Sequence, residues 1–358
     1  MNKQLKSYRV LIVDDSPFIR MMLKNILNRD PEIEVVGTAR DGREGIKKLQ
    51  TLKPDVVTMD VEMPVINGLQ ALDEIMRWQP TPVIVLSALT TAGAELTVKA
   101  LELGAVEVVA KPSGQEGNDL NALAEDLVLK VKSVAGVDPA RLPRKNWELK
   151  PKTAPFKPVQ VVSPAAQVEI VALGTSTGGP TALQTVLTKL PDDFPVPLVI
   201  AQHMPPGFTA SLAARLDNLC RIKVKEAEDG EVLQAGTAYI GPSGKQFKVI
   251  RSGNELRTSV WLESPPQTLY KPSVDVLFSS LAEEVGAGVL AVIMTGMGHD
   301  GLEGAKKLKA RGAFVIAESE KTSVVYGMPR SVVQTGLTDR IELLPDISKV
   351  MIECVARR

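Results

Sequence analysis

The sequence predicts an α/β protein in two parts: an N-terminal five-stranded, doubly wound parallel sheet and a C-terminal α/β domain with a mainly parallel sheet. Three observations carry this. Short apolar runs alternate with amphipathic segments over residues 8–137, the pattern of strands joined by crossover helices. A second series of apolar runs begins near residue 167. Between them Pro139, Pro143, Pro151, Pro155, Pro158 and Pro164 punctuate a polar stretch without periodicity. That stretch reads as an extended linker over 138–166. Domains of 1–137 and 167–358 follow, and a chain of 358 residues has room for two cores.

The expected strands of the first part are YRVLIV, EIEVVG, DVVTM, PVIVLS and VEVV. The segments FIRMMLKNILN, GREGIKKLQTL, GLQALDEIMRW and AELTVKALELG lie between them with apolar residues at helical spacing, and a last helix near 118–135 closes the domain. The second part begins with VEIVAL and PLVIAQ, passes through a strand-rich middle at 222–262, and continues with GVLAVIM and AFVIA. No internal repeat links the halves.

Composition narrows the function. Lys plus Arg (42) balance Asp plus Glu (42), so there is no basic excess to meet nucleic acid, and the second half shows no helix-turn-helix pattern. Cys220 and Cys354 make neither a disulfide framework nor a Cys-rich metal site. The N-terminus runs directly into a charged strand end, and no apolar stretch reaches the ~18 residues of a membrane span. A cytoplasmic protein with no membrane insertion is expected.

In open parallel sheets, ligands sit at the carboxyl ends of the strands. There the first domain carries Asp14 and Asp15 after strand one, Asp60 after strand three, Ser87 after strand four and Lys111 after strand five. Converging carboxylates repel unless a cation is present, and an all-oxygen cluster suits Mg²⁺. An aspartate beside Mg²⁺, a lysine and a hydroxyl is equipped to accept a phosphoryl group. Each acid alone would serve equally as a helix cap; the full set on one edge favours the chemical reading. Through LIVDDS, VVTMDVEMPVINGL, VLSALT and GAVEVVAKP, residues 8–135 resemble a two-component receiver domain of flavodoxin-like fold. The resemblance implies Asp60 as the phosphorylated residue and Asp14, Asp15, Asp60 and the Glu62 backbone carbonyl around Mg²⁺, with Ser87 and Lys111 sensing the phosphoryl group. Many receivers have an aromatic residue where this chain has Val108, which puts switching by an aromatic rotamer change in doubt.

The stretch GTSTGG after VEIVAL admits three readings. As a dinucleotide fingerprint it fails at Ser176, where backbone must approach the pyrophosphate. As a P-loop it lacks G-K-[ST]. As a strand–turn–helix nucleophile, GTSTG matches G-x-S-x-G, although a plain glycine turn would look the same. The supporting residues decide. His203 follows PLVIAQ, so it too ends a strand, whereas His299 is sequence-adjacent to Asp300 and poorly placed to pair with it. A triad of Ser176, His203 and Asp300 is expected, with the acid on Nδ1 of the histidine and Nε2 facing the serine. Asp300 also opens D-G-L-E, a capping-box pattern with Glu303. The backbone of TGMG (295–298) and the turn after Ser176 are candidates for an oxyanion hole.

These motifs, with AQHMPPGFTASLAARL, YIGPSG, MTGMGHDG and VVYGMPRSV, make residues 167–355 resemble the catalytic domain of the chemotaxis protein-glutamate methylesterase (CheB) family. The resemblance implies Ser176 as nucleophile, His203 as general base, Asp300 as orienting acid and the Met297 N–H in the oxyanion hole. It implies hydrolysis of glutamate methyl esters on methyl-accepting chemoreceptors, releasing methanol, and deamidation of receptor glutamines. It also implies phosphorylation by a chemotaxis histidine kinase, a receiver that inhibits until Asp60 is phosphorylated, Mg²⁺ for the receiver and no cofactor for the esterase. Members often carry a histidine where this chain has Gln246, so altered substrate contacts are expected there. The competing readings are a serine esterase for small esters and a phospho-switched, non-catalytic receptor-binding module.

Overall fold

The structure is a computed structural model that describes residues 7–88, 90–111, 117–142, 163–262 and 268–356, without the side chains of Thr91 and residues 117–122. Most of the expected linker lies outside the described residues. The chain divides into two compact units, Met1–Trp147 and Glu148–Arg358.

In the first unit the strands are β1 (Tyr8–Val13), β2 (Ile33–Ala39), β3 (Val56–Asp60), β4 (Val83–Ser87) and β5 (Glu107–Ala110). The helices are α1 (Pro17–Leu27), α2 (Gly42–Leu52), α3 (Gly68–Trp78), α4 (Thr91–Glu102) and α5 (Gly117–Ala135). Strand order is β2-β1-β3-β4-β5 and every pair is parallel. Local chemistry sets the helix starts. The Ser16 side chain accepts from Ile19 N–H ahead of Pro17, Asp41 accepts from Glu44 N–H, and Asn67 with Gln70 forms a complete capping box. Val10–Val13 and Val83–Leu86 are almost fully buried, as expected of strands covered on both faces; each such side chain contributes about 1.5–3 kcal/mol. The polar residues that follow these runs therefore emerge together at one sheet edge.

In the second unit the strands are β6 (Ile170–Thr175), β7 (Leu198–Gln202), β8 (Lys223–Glu226), β9 (Thr237–Ile240), β10 (Gln246–Ser252), β11 (Glu255–Trp261), β12 (Val289–Ile293), β13 (Phe314–Glu318) and β14 (Arg340–Glu342). The helices are α6 (Gly179–Leu187), α7 (Phe208–Leu219), α8 (Val274–Glu284), α9 (Leu302–Ala310), α10 (Met328–Gln334) and α11 (Leu344–Val355). Seven strands form one sheet in the order β14-β13-β12-β6-β7-β9-β8, parallel throughout. The strand-rich middle resolves into β8 and β9 at the sheet edge and a separate antiparallel hairpin, β10–β11. Strand β6 is central, with β12 on one side and β7 on the other, so three segments distant in sequence end side by side. The hairpin packs Phe247 and Val249 into the same core as Val274, Leu277 and Phe278 of α8.

Candidate active site

In the first unit, Asp14 and Asp60 are buried and Asp15 is exposed. Lys111 Nζ lies 2.9 Å from Asp14 Oδ2 and 2.7 Å from Asp60 Oδ2. Burial pushes the Asp60 carboxyl up, with the Asp14 charge adding to it, and Lys111 pulls only partly against them. The ammonium in turn loses by burial but gains more from the two carboxylates, and stays above its ordinary range. The carboxylates of Asp14, Asp15 and Asp60 offer oxygen atoms that all lie within 4.8 Å of one another. That hard-oxygen set fits Mg²⁺. Glu62 N–H donates to Asp60 Oδ1 at 3.3 Å. Ser87 Oγ donates to Gly93 O at 3.1 Å, so its hydroxyl turns toward the first turn of α4. Val108 is buried in β5, where a side chain of that size belongs to the core.

The second site grows from the sheet order. Thr175 on β6 is in register with Gln202 on β7, and His203 N–H extends the ladder by donating to Thr175 O at 3.1 Å. Ser176 and His203 therefore leave adjacent strand ends together. Both are buried, 7% and 8% exposed, so neither is a surface polar residue. The Gln202 amide ties them by donating to Ser176 O at 3.1 Å and His203 O at 2.8 Å. The turn after Ser176 closes with Gly179 N–H on Ser176 O at 2.7 Å. Gly178 there has φ 77°, the left-handed region that glycine enters without strain. This is the strand–turn–helix geometry that the motif suggested.

Asp300 comes from the loop after β12. Its Oδ2 is 2.8 Å from His203 Nε2. It also accepts from Ser273 Oγ (2.9 Å), Val274 N–H (2.7 Å) and Asp275 N–H (3.0 Å). These are the first groups of α8, so the carboxylate sits on a helix N-terminus, where unpaired N–H groups favour an anion. Burial works against the charged form of Asp300, but the His203 bond and the backbone N–H groups outweigh it and hold the carboxyl low, at about 2. Its neighbour Asp275 is pushed up to about 6 by burial and by the Asp300 charge.

Two expectations are corrected. The acid binds Nε2 of the histidine, not Nδ1, and Nδ1 is buried without a hydrogen-bond partner; Nδ1 is therefore the nitrogen left for a serine. Strand order explains this, because Asp300 reaches His203 from across β6. The capping box also does not form. The N-cap of α9 is Gly301, with no side-chain bond, and Glu303 pairs with Lys306 at 2.6 Å. Asp300 caps a different helix instead.

The loop from Thr295 to Gly298 is held on three sides. Thr295 O accepts from Ser176 N–H at 3.0 Å, Gly296 N–H donates to Val325 O at 3.0 Å, and Gly296 O accepts from Met328 N–H at 2.9 Å. A side chain at Gly296 would collide with Met328 Sδ and with Ser176 Cβ, the latter at 2.8 Å, so only glycine lets this loop close on the serine. Ser176 N–H is spent on Thr295, while Met297 N–H has no acceptor among the described residues. Sequence reasoning missed three residues. Tyr270 stacks on the His203 ring, centroids 4.0 Å apart and planes at 10°. Ser273 bonds Asp300. Glu318, fully buried at the end of β13, accepts Thr295 N–H at 2.8 Å and is pushed by burial up to about 7. An acid closing the wholly apolar strand AFVIA was the one available signal, for Glu318.

Fold and sites define a class: an aspartate-bearing receiver in one chain with an α/β domain that brings a buried serine, a buried histidine and a half-buried aspartate to the ends of three neighbouring strands. The comparisons agree. Residues 10–122 match the response regulator receiver domain model and residues 171–351 match the CheB methylesterase model. A protein-glutamate methylesterase/protein-glutamine glutaminase of Desulfitobacterium hafniense is 52% identical over 100% of both chains. One of Geobacillus kaustophilus is 49% identical over 98% of this chain and 99% of its own. The CheB methylesterase catalytic domain of Thermotoga maritima, a crystal structure, superposes with TM-score 0.51 at 41% identity, covering 52% of this chain and 99% of that one. The chain belongs to the CheB family of receiver-linked protein-glutamate methylesterases.

Proposed function

We propose that this chain hydrolyses glutamate methyl esters on methyl-accepting chemoreceptors, and deamidates receptor glutamines, under control of its own receiver. The observation that carries the reading is the 2.8 Å His203–Asp300 bond beside a buried Ser176 in a member of this family. Neutral His203 donates Nε2–H to Asp300 and keeps the Nδ1 lone pair. Nδ1 takes the Ser176 proton as Oγ attacks the ester carbonyl, and the carbonyl electrons move to oxygen, which Met297 N–H stabilises. His203 returns the proton to the departing methoxide, releasing methanol. Water, deprotonated by His203, then cleaves the acyl-enzyme to free glutamate. With a glutamine substrate the leaving group is ammonia and the rest is unchanged.

In the receiver, Asp60 accepts the phosphoryl group from a chemotaxis histidine kinase. Asp14, Asp15, Asp60 and the Glu62 carbonyl would hold Mg²⁺, which supplies charge neutralisation for phosphoryl oxygens. Lys111 and Ser87 contact the phosphoryl group on Asp60. Phosphorylation relieves inhibition of the second domain by a shift between two arrangements of the chain. Among the described residues no helix is long and apolar enough to cross a membrane; the proposed setting is the cytoplasm.

Methanol release from methylated chemoreceptor membranes, compared between wild type and Ser176→Ala, tests the reaction. Release by wild type alone supports it. Release by both would put the nucleophile elsewhere, and release by neither, with a small phosphodonor and Mg²⁺ present, would favour a binding module or another ester.

A further inference from the structure

Gln246 opens β10 and is fully buried, so it makes no surface for a substrate, contrary to the expectation from its sequence position. Its amide is used at both ends. Nε2 donates to Tyr270 O at 3.0 Å and to Thr268 Oγ1, and Oε1 accepts from Ser273 N–H at 3.0 Å. Thr268 Oγ1 closes the ring of bonds by donating to Tyr270 O at 2.8 Å. One side chain therefore anchors the segment 268–273 near its start and at its end. That segment touches both partners of the charge pair: the Tyr270 ring covers His203, and Ser273 Oγ bonds Asp300. Gln202 holds the backbone of His203 but not its ring.

We infer that Gln246 is a positioning residue for the His203–Asp300 pair, acting through the Tyr270 stack and Ser273 to fix the imidazole plane with Nδ1 turned to Ser176. The physical reason is entropy. A histidine held by one hydrogen bond still rotates about its own side-chain torsion, and a stacked ring on an anchored loop removes that freedom before substrate arrives. Replacing the amide by an apolar side chain leaves the Ser273 N–H and the Tyr270 carbonyl without this partner and frees the segment. A histidine at 246 keeps one donor and one acceptor and should restore most of the anchoring.

The inference rests on the reading of Ser176 and His203 above, and its test separates the two. The chain has two histidines, so ¹⁵N-histidine labelling of the full-length protein yields two imidazole signatures, His203 being assigned by its loss in His203→Gln. Wild type should show a single Nε2–H tautomer for His203. Gln246→Leu should mix the tautomers or broaden the signal, lower kcat for methanol release about tenfold and leave KM within about twofold. Gln246→His, which adds a third imidazole signature, should recover both the single His203 tautomer and kcat. If Gln246→Leu does not fold, Tyr270→Ala should give the same mixed signature and Tyr270→Phe the wild-type one. An unchanged tautomer and kcat in Gln246→Leu, or in Tyr270→Ala, overturns the inference. The tautomer is read without substrate, so it decides the positioning role even if Ser176→Ala proves active and the proposed reaction falls.

Discussion

The two polar sites use the same position, the carboxyl edge of a parallel sheet, in opposite ways. In the receiver, Asp14 and Asp60 share one ammonium, Lys111, and Asp15 faces solvent. Asp60 keeps a raised carboxyl because burial is only partly offset. In the second domain Asp300 takes four donors, His203, Ser273, Val274 and Asp275, and its charge is fixed. The first is an under-neutralised site suited to a change of charge; the second is saturated and suited to holding one charge through a reaction. What separates them is the supply of oriented donors, and the N-terminus of α8 provides it for only one.

The sharpest way to break that contrast is to remove the fixed charge. Asp300→Ala should lower kcat for methanol release by about 10³–10⁴ with a small effect on KM, read by initial rates on methylated receptor membranes; a loss under tenfold would mean that His203 needs no acid. Next is Lys111→Met, which leaves the receiver carboxylates without their ammonium. Stimulation by a phosphodonor should vanish while unstimulated hydrolysis stays within about twofold.

Glu318 sharpens the comparison because it is a buried acid with one backbone donor and, among the described residues, no cation bonded to it. Its folded value near 7 lies above the ordinary 4.5, so the unfolded chain ionises first as pH rises. The native state is favoured below about pH 4.5 and loses stability up to about pH 7, by about 3 kcal/mol at most. Glu318→Gln should flatten this part of the pH–stability curve in urea titrations at pH 5 and 8; an unchanged slope would place the titration elsewhere. The smallest effect concerns backbone near the receiver site. Val65 has φ 68°, an unfavourable conformation for a β-branched residue, and Val65→Gly should raise the urea midpoint by up to about 1 kcal/mol equivalent.

Much of this was legible in the sequence, for a physical reason. A parallel strand is apolar along its length, so the first polar residue beyond it must lie at the sheet edge; Asp14, Asp60, Ser176 and His203 were found that way. What stayed hidden depends on strand order and long-range closure. Nothing local says that β12 and β7 flank β6, and hence that Asp300 reaches His203 at Nε2 and caps α8 rather than α9. Tyr270 and Ser273 lie in a segment without helix or strand periodicity, and nothing local in the sequence separates a buried Gln246 with three bonds from one that meets substrate.

The proposed switch couples the site that changes charge to the site that keeps it. Its most direct test is methanol release by the full-length chain with and without a small phosphodonor and Mg²⁺, in wild type and Asp60→Asn. The expected result is stimulation of wild type, none of Asp60→Asn, and equal unstimulated rates. Equal rates in wild type with and without the donor, or stimulation that survives Asp60→Asn, would contradict it.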